Sequence, residues 1–292
     1  MSASPQVRLR QGGLRLAMFL MLGAAIILPF ADAMVKWLVV DYPVAMIAWA
    51  RMGVIAVVLG LLGSARIGAA RMLRPVAWRL QLLRGAAAVL GTAMAFLGFR
   101  AMPLAECLAI VFIAPVLANL FSRFWLREPG DAFSWIAALA SFAGVLIIVR
   151  PGLGVFAFEA LYPVAAAVAL AGFYTITRAV SGRDDARVTA FFGPFIAFLA
   201  FSTVVGAYWE TPKSLSHLAM FVGIGVIGAV GQVLQTVAYR HGTTHQLAPF
   251  GYASLVVSIG VGWAVFQAVP DGWSILGMSI IAAAGVATVL RA

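Results

Sequence analysis

Apolar runs of about twenty residues recur about ten times along this chain, and that recurrence confines it to one kind of fold. A helix needs ~20 mostly apolar residues to cross ~30 Å of hydrocarbon. Runs of that kind fall at 15–38, 42–63, 78–100, 103–124, 132–149, 157–178, 187–208, 215–239, 245–267 and 272–290. With 63% hydrophobic and 10% charged residues over 292 positions, the chain holds more apolar material than one soluble core of its length can bury. The surplus has to face lipid. The first run is followed by further apolar runs and by no polar mature domain, so it reads as a span behind a short tail, 1–14, and not as a cleavable signal. Pro29 is expected to bend or tilt it.

Lys and Arg number 20 against 10 Asp and Glu. In a soluble protein that excess would suggest a nucleic-acid partner. Here the basic residues sit between apolar runs, so no nucleic acid is expected and they report orientation instead. With the N-terminus cytoplasmic, that side collects Arg8, Arg10, Arg15, Arg66, Arg71, Arg74, Arg79, Arg84, Arg123, Arg127, Arg178, Arg183, Arg187, Arg240 and Arg291. The other side holds Lys36, Arg100, Arg150 and Lys213, and Arg51 falls inside a span. Both termini are therefore predicted to be cytoplasmic. Cys107 is the single cysteine and forms no internal disulfide. Phosphate loops, HExxH, CxxC and dinucleotide fingerprints are absent from any plausible setting, so no cofactor, metal or catalytic centre is expected.

The two halves of the chain resemble each other. Phe99, Arg100 and Ala109 correspond to Tyr239, Arg240 and Pro249 at an offset of 140, and Pro129, Gly144 and Arg150 correspond to Pro270, Gly285 and Arg291 at 141. Each copy closes on a small-residue helix, SFAGVLIIVR or AAAGVATVLR, behind a turn with Pro and Asp. Five spans per copy is an odd number, so the second copy, 151–292, enters the membrane from the side opposite to the first, 15–150. The expected fold is an all-α integral membrane protein of ten transmembrane helices, two inverted five-helix repeats around a central cavity. Equivalent loops should then differ in charge: Arg123 and Arg127 follow span four, whereas Asp271 and no basic residue follow span nine. Inverted repeats put a substrate site near the midplane and let the two faces open alternately.

The ten-span ladder, the duplicated unit and the segment APVLANLFSRFWLREPGDAFSWIAALASFAGVLIIVRPG resemble the EamA-type members of the drug/metabolite transporter superfamily over essentially the whole chain. The second copy departs from the pattern, with QAVPDGW where the first has REPGDAF, which leaves Glu128 without a counterpart. The resemblance implies alternating-access export of amino acids or related hydrophobic metabolites across a bacterial inner membrane, the aromatic amino acid exporters being the nearest branch.

Ionisable side chains within spans demand a partner or a water-filled cavity. Asp32 and Lys36 lie one turn apart on span one, acid before base, which favours an intrahelical pair. With Arg51, Arg100 and Glu106 at similar depth they form a candidate gate or charge network, against a reading as interfacial, snorkelling pairs. A second constellation follows helical spacing in span eight, Gln232, Thr236 and Tyr239, and the repeat maps it onto Thr92, Phe96 and Phe99 in span three. Asn119, Tyr174, Gln235, Tyr252, Ser254 and Ser258 add polar and aromatic groups. A mostly apolar cavity with a few hydrogen-bonding groups suits a small-molecule substrate with a large hydrophobic side chain; interhelical hydrogen bonding is the competing reading. Pro115 and Pro249 interrupt spans four and nine as hinges or static kinks. Small-residue stripes such as Ala140 with Gly144 point to close packing within a monomer, a dimer being the alternative.

Other readings stay open at this stage. The carrier could take a nucleotide-derived metabolite, a quaternary amine or a drug. A lipid-modifying membrane enzyme would need a polar interfacial cluster, for which only Arg183, Asp184, Asp185 and Arg187 offer density, and a solvated turn accounts for those. A passive channel is disfavoured by the repeat.

Overall fold

The computed structural model describes residues 5–125, 132–150, 158–241, 250 and 253–291, with the side chains of 5–14, 119, 132, 134, 239, 240, 285 and 288–291 left outside the description. Every regular element among the described residues is helical. In chain order they are α1 (Pro5–Leu38), α2 (Val44–Ile67), a single turn α3 (Ala69–Met72), α4 (Trp78–Ala101), α5 (Leu104–Val111), α6 (Ala114–Trp125), α7 (Ala132–Val149), α8 (Leu161–Val180), α9 (Ala186–Val205), α10 (Leu215–His241), α11 (Ala253–Phe266) and α12 (Gly272–Arg291). Seven helical stretches among the described residues are long and apolar enough to cross a membrane: Arg15–Leu38, Val44–Ile67, Trp78–Ala101, Leu104–Trp125, Leu161–Val180, Ala186–Tyr208 and Leu215–Ala238. Trp135–Val149, Ala253–Phe266 and Gly272–Ala284 are shorter apolar helices. Together these ten coincide with the ten predicted runs, although much of the start of 245–267 lies outside the described residues.

Local chemistry explains the breaks. Pro43 and Pro103 stand just ahead of α2 and α5, where a residue with no N–H costs no helical hydrogen bond. Asp185 caps α9 by accepting from the Arg187 amide at 2.8 Å. α5 ends at Val111 and α6 restarts at Ala114, so Pro115 occupies a first turn in which its ring is tolerated. The chain is interrupted beside this candidate hinge, whereas α1 runs unbroken through Pro29. Pro249 lies outside the described residues.

The packing has a reciprocal form. α1 lies against α10 and α4 against α8, while α2 pairs with α9 and α7 with α12. Secondary contacts join α2 to α10 and α4 to α9, and α1 to α11 and α6 to α8. Exchanging α1, α2, α4, α6 and α7 for α8, α9, α10, α11 and α12 leaves this pattern unchanged. The close approaches match as well: a Cβ placed on Gly85 of α4 would run into Ile196 of α9, and one on Gly225 of α10 into Val54 of α2. The positions of Gly85 and Gly225 differ by the repeat offset of 140. In lipid no hydrophobic force pulls helices together, so glycines that let backbones meet carry much of the packing. Outward-facing apolar side chains such as Phe19, Leu139 and Val256, 73%, 66% and 72% exposed, form the surface that lipid covers. The chain is a multi-pass membrane protein.

α7 and α12 meet through Gly144 and Gly277, each of which leaves no room for a Cβ beside the other's carbonyl oxygen. Leucine at either position is expected to lower the unfolding midpoint in detergent by the equivalent of ~2 kcal/mol or more. Gly172→Ala, at a position with open space around it, should be neutral in the same melt.

Candidate functional site

One end of the bundle, the Tyr42 face, gathers most of the predicted charge network. The intrahelical Asp32–Lys36 pair favoured by spacing does not form. Arg51 of α2 donates from Nη1 to Asp32 Oδ1 at 2.8 Å, both side chains 15% exposed. Lys36 Nζ donates instead to the backbone oxygens of Phe99 and Met102, each at 2.8 Å. Those carbonyls belong to the C-terminal end of α4, where helix geometry leaves acceptors unpaired and the dipole favours a cation. Tertiary partners thus outcompete the local one, because each offers a hydrogen bond that would otherwise be missing.

Aromatic rings complete the cluster. Phe96 and Phe99, both 2% exposed, stack with centroids 6.0 Å apart. The Arg51 guanidinium lies 5.6 Å from the Phe96 centroid, and Lys36 Nζ 5.6 Å from that of Phe266, distances at which a cation gains from the ring face. Glu106, in the first turn of α5, is 4% exposed, and its Oε2 has no hydrogen-bond partner among the described residues. Arg100 is exposed and lines a cavity of about 370 Å³ with Lys36, Trp37, Val40, Asp41, Phe99 and Phe266. Asp32, Lys36, Arg51, Phe96, Phe99, Arg100 and Glu106 are therefore drawn to one end of the bundle.

The rest of the predicted substrate set is dispersed. Gln232 bridges α10 to α9 through the Ala190 oxygen at 3.3 Å. Thr236 and Ser258 spend their hydroxyls on their own helices, at the Gln232 and Leu255 oxygens. Ser254 is buried, Thr92 and Gln235 are half-buried, and Tyr174 is 42% exposed beside Phe173. Tyr252 and the side chains of Asn119 and Tyr239 lie outside the described residues.

Sequence reasoning missed a polar knot at the opposite end. Arg84, counted above as a cytoplasmic charge, is 3% exposed within α4. Its Nε donates to Thr177 Oγ1 at 2.7 Å and its Nη1 to the Thr189 oxygen at 2.5 Å, with the guanidinium 4.0 Å from the Phe173 centroid. Asp184, expected in a solvated turn, accepts from the Val76 amide at 2.6 Å and from Gln81 Nε2 at 3.0 Å. The available signal was depth: Arg84 stands six residues inside its span, too far for an edge charge.

A matching clamp closes the Tyr42 face. Lys213 pairs with Asp41 at 2.6 Å, its amide donates to the Tyr42 hydroxyl at 2.7 Å, and that hydroxyl shares a hydrogen bond with His217 Nδ1 at 2.8 Å. On each face the turn between two helices of one half, α1–α2 or α8–α9, grips the start of a helix of the other half, α10 or α4.

Residues 15–150 match the model of the EamA-like transporter family. These residues form an EamA-type transporter domain. A riboflavin transporter of Vibrio cholerae is 29% identical over 78% of this chain and 76% of its own length. A pseudopaline exporter of Pseudomonas aeruginosa is 27% identical, with 70% and 73% covered, and an S-adenosylmethionine uptake transporter of Rickettsia conorii is 24% identical, with 69% and 68% covered. One solved crystal structure shares the fold at 19% identity and a TM-score of 0.63, covering 94% of this chain and 96% of that one. The expectation of an aromatic amino acid branch gains no support from these relatives, whose names specify other solutes.

Two tests follow. Arg51→Gln and Asp32→Asn each leave a partly buried charge alone and should each cost ~3 kcal/mol in thermal unfolding, the double variant costing clearly less than the sum. At the clamp, the Lys213 hydrogen bond holds the Asp41 carboxyl below the ordinary carboxylate range, and the Asp41 hydrogen bond raises Lys213. The Asp41 contribution is complete above pH ~4 and is lost as pH falls through its lowered value. That of Lys213 is complete below pH ~10 and is lost as pH rises through its raised value. A nitroxide on Val40 should therefore keep one mobility from pH ~5 to ~9 and loosen in Lys213→Ala.

Proposed function

We propose that this chain is a ten-span secondary carrier of the bacterial inner membrane, with both termini cytoplasmic and two inverted five-helix repeats that open alternately. The observation that carries the reading is the reciprocal packing: α1 on α10 with α4 on α8, and a clamp of equivalent build at each end. Two equivalent ends on one pathway make two states of similar energy, each with one clamp closed, which is what alternating access requires. The transporter names of the relatives and the EamA-type domain support the same class of function, and support it over an enzyme acting on lipid.

The substrate proposed is a small ring-bearing metabolite, a class that includes both riboflavin and the aromatic amino acids. Phe96 and Phe99 offer stacking surface, and Arg51 and Lys36 beside them offer cations for a carboxylate or a polarised ring oxygen. Relatives named for export and for uptake both occur, and a reversible carrier runs in either direction with its gradients.

Purified protein in liposomes, with riboflavin as the fluorescent probe and labelled Phe and Trp as alternatives, tests the reading. Saturable movement of one of them is expected. Phe96→Leu, which keeps the volume and removes the ring, should raise the half-saturating concentration about three- to ten-fold, while Phe19→Leu on the lipid face should not. Non-saturable flux, or equal saturation in Phe96→Leu and wild type, contradicts the assignment.

A further inference from the structure

Among the described residues, the buried charges within the spans are otherwise matched. Asp32 has Arg51, Lys36 has two helix-end carbonyls, and Arg84 has Thr177 and the Thr189 oxygen. Glu106 is the exception among them. Leu104, Ala105, Cys107, Leu108, Ala109 and Ile110 around it on α5 are all buried in the main apolar cluster. Its Oε2 is buried without a hydrogen bond, and among the described residues no cation forms an ion pair with it.

The elements packed on α5 bring few countercharges. From α1 come Lys36, already committed to the Phe99 and Met102 oxygens, and Asp32, committed to Arg51. From α4 comes the exposed Arg100. α8 offers Tyr162 in its first turn, with Glu159 just ahead, and α11 has no ionisable side chain. Ahead of α12 stands Asp271, which pairs with Arg150 at 2.6 Å. The Cys107 thiol is the remaining neighbour, on α5 itself. Lys36, Asp271 and Arg150 are the charges whose field reaches Glu106, and their signs partly offset.

An ionised carboxylate with one buried oxygen left unpaired in such a place is costly, and a carboxylic acid is not. The closed Tyr42 face therefore suits the neutral acid, and opening that face to water would let it ionise. We propose that Glu106 is the site that binds and releases a coupled proton in each cycle: COOH when the Tyr42 face is shut, COO⁻ plus a released H⁺ when it is open. The proton is taken up from water on the opposite side while the Tyr42 face is shut and released on the Tyr42 side when it opens, which makes it a second transported species. Closure of this face is favoured as pH falls, because the closed state holds one more proton than the open one. This rests on the alternating-access reading and adds the identity of its driving ion. It gives the sequence-predicted charge network a division of labour, with Asp32, Lys36 and Arg51 fixing the geometry and Glu106 carrying the exchangeable proton.

The experiment uses the full chain in liposomes, with wild type, Glu106→Gln and Glu106→Asp. Infrared difference spectra taken while the bath is stepped from acid to alkaline pH read the carboxyl without any substrate. Wild type and Glu106→Asp should show a protonated-carboxyl band that titrates, and Glu106→Gln should lack it. With riboflavin as probe and an imposed pH gradient, wild-type accumulation should change up to about ten-fold per pH unit, as one proton per substrate requires; Glu106→Gln should lose that dependence and Glu106→Asp keep it. Glu106→Gln, an isostere of the neutral acid, should melt no lower than wild type at neutral pH. A missing band in wild type, an unchanged band or gradient dependence in Glu106→Gln, or a large loss of stability in that variant would each overturn the proposal, the last because it marks an ionised, structurally paired carboxylate. If riboflavin does not move, the substrate reading fails, and the infrared and melting arms still decide the role of Glu106.

Discussion

A charge inside hydrocarbon has to be paired, hydrogen-bonded or neutralised, and the arrangement of this protein follows from how its few in-span charges meet that demand. Arg51 and Asp32 tie α2 to α1. Lys36 ties α1 to the end of α4. Arg84 ties α4 to α8 and α9. Each solution crosses between helices, so the polar contacts choose which helices meet, while the glycine approaches determine how closely they pack. The consequence is a bundle in which the polar contacts sit at its two ends and apolar packing fills the middle.

Placing the clamps at opposite ends has a mechanical meaning. At the Tyr42 face the α1–α2 turn holds the start of α10; at the other face the α8–α9 turn holds the start of α4. The grips differ in chemistry. One is charged, Asp41 with Lys213, and the other is built on the half-buried Asp184 carboxylate accepting backbone and amide hydrogens. The Tyr42 face is also the one that holds Glu106 and the stacked phenylalanines.

The helices were legible in the sequence because length and apolarity are local properties: the run 78–100 becomes Trp78–Ala101 and 132–149 becomes Ala132–Val149. The composition of the candidate site was legible in part. Asp32, Lys36, Arg51, Arg100 and Glu106 were brought together by depth alone, yet their partners were not, since the carbonyl oxygens that attract Lys36 exist only once α4 ends beside it. Arg84 and Asp184 escaped for a related reason. A charge near a predicted boundary reads as a loop residue until a neighbouring helix is seen to cover it. On α10 and α11 the hydroxyls of Thr236 and Ser258 bond to carbonyl oxygens of their own helices, a pairing that helical spacing alone does not reveal.

Distance measurement between spin labels tests alternation of the two faces most directly. One pair on Val40→Cys and Leu215→Cys reports the Tyr42 face, and another on Val76→Cys and Arg183→Cys reports the opposite one; all four positions are exposed, while the native Cys107 is buried. Across acid and alkaline pH, with and without riboflavin, the two distances should change in opposite senses. Distances that stay fixed, or that lengthen and shorten together, would contradict a carrier built on two reciprocal halves.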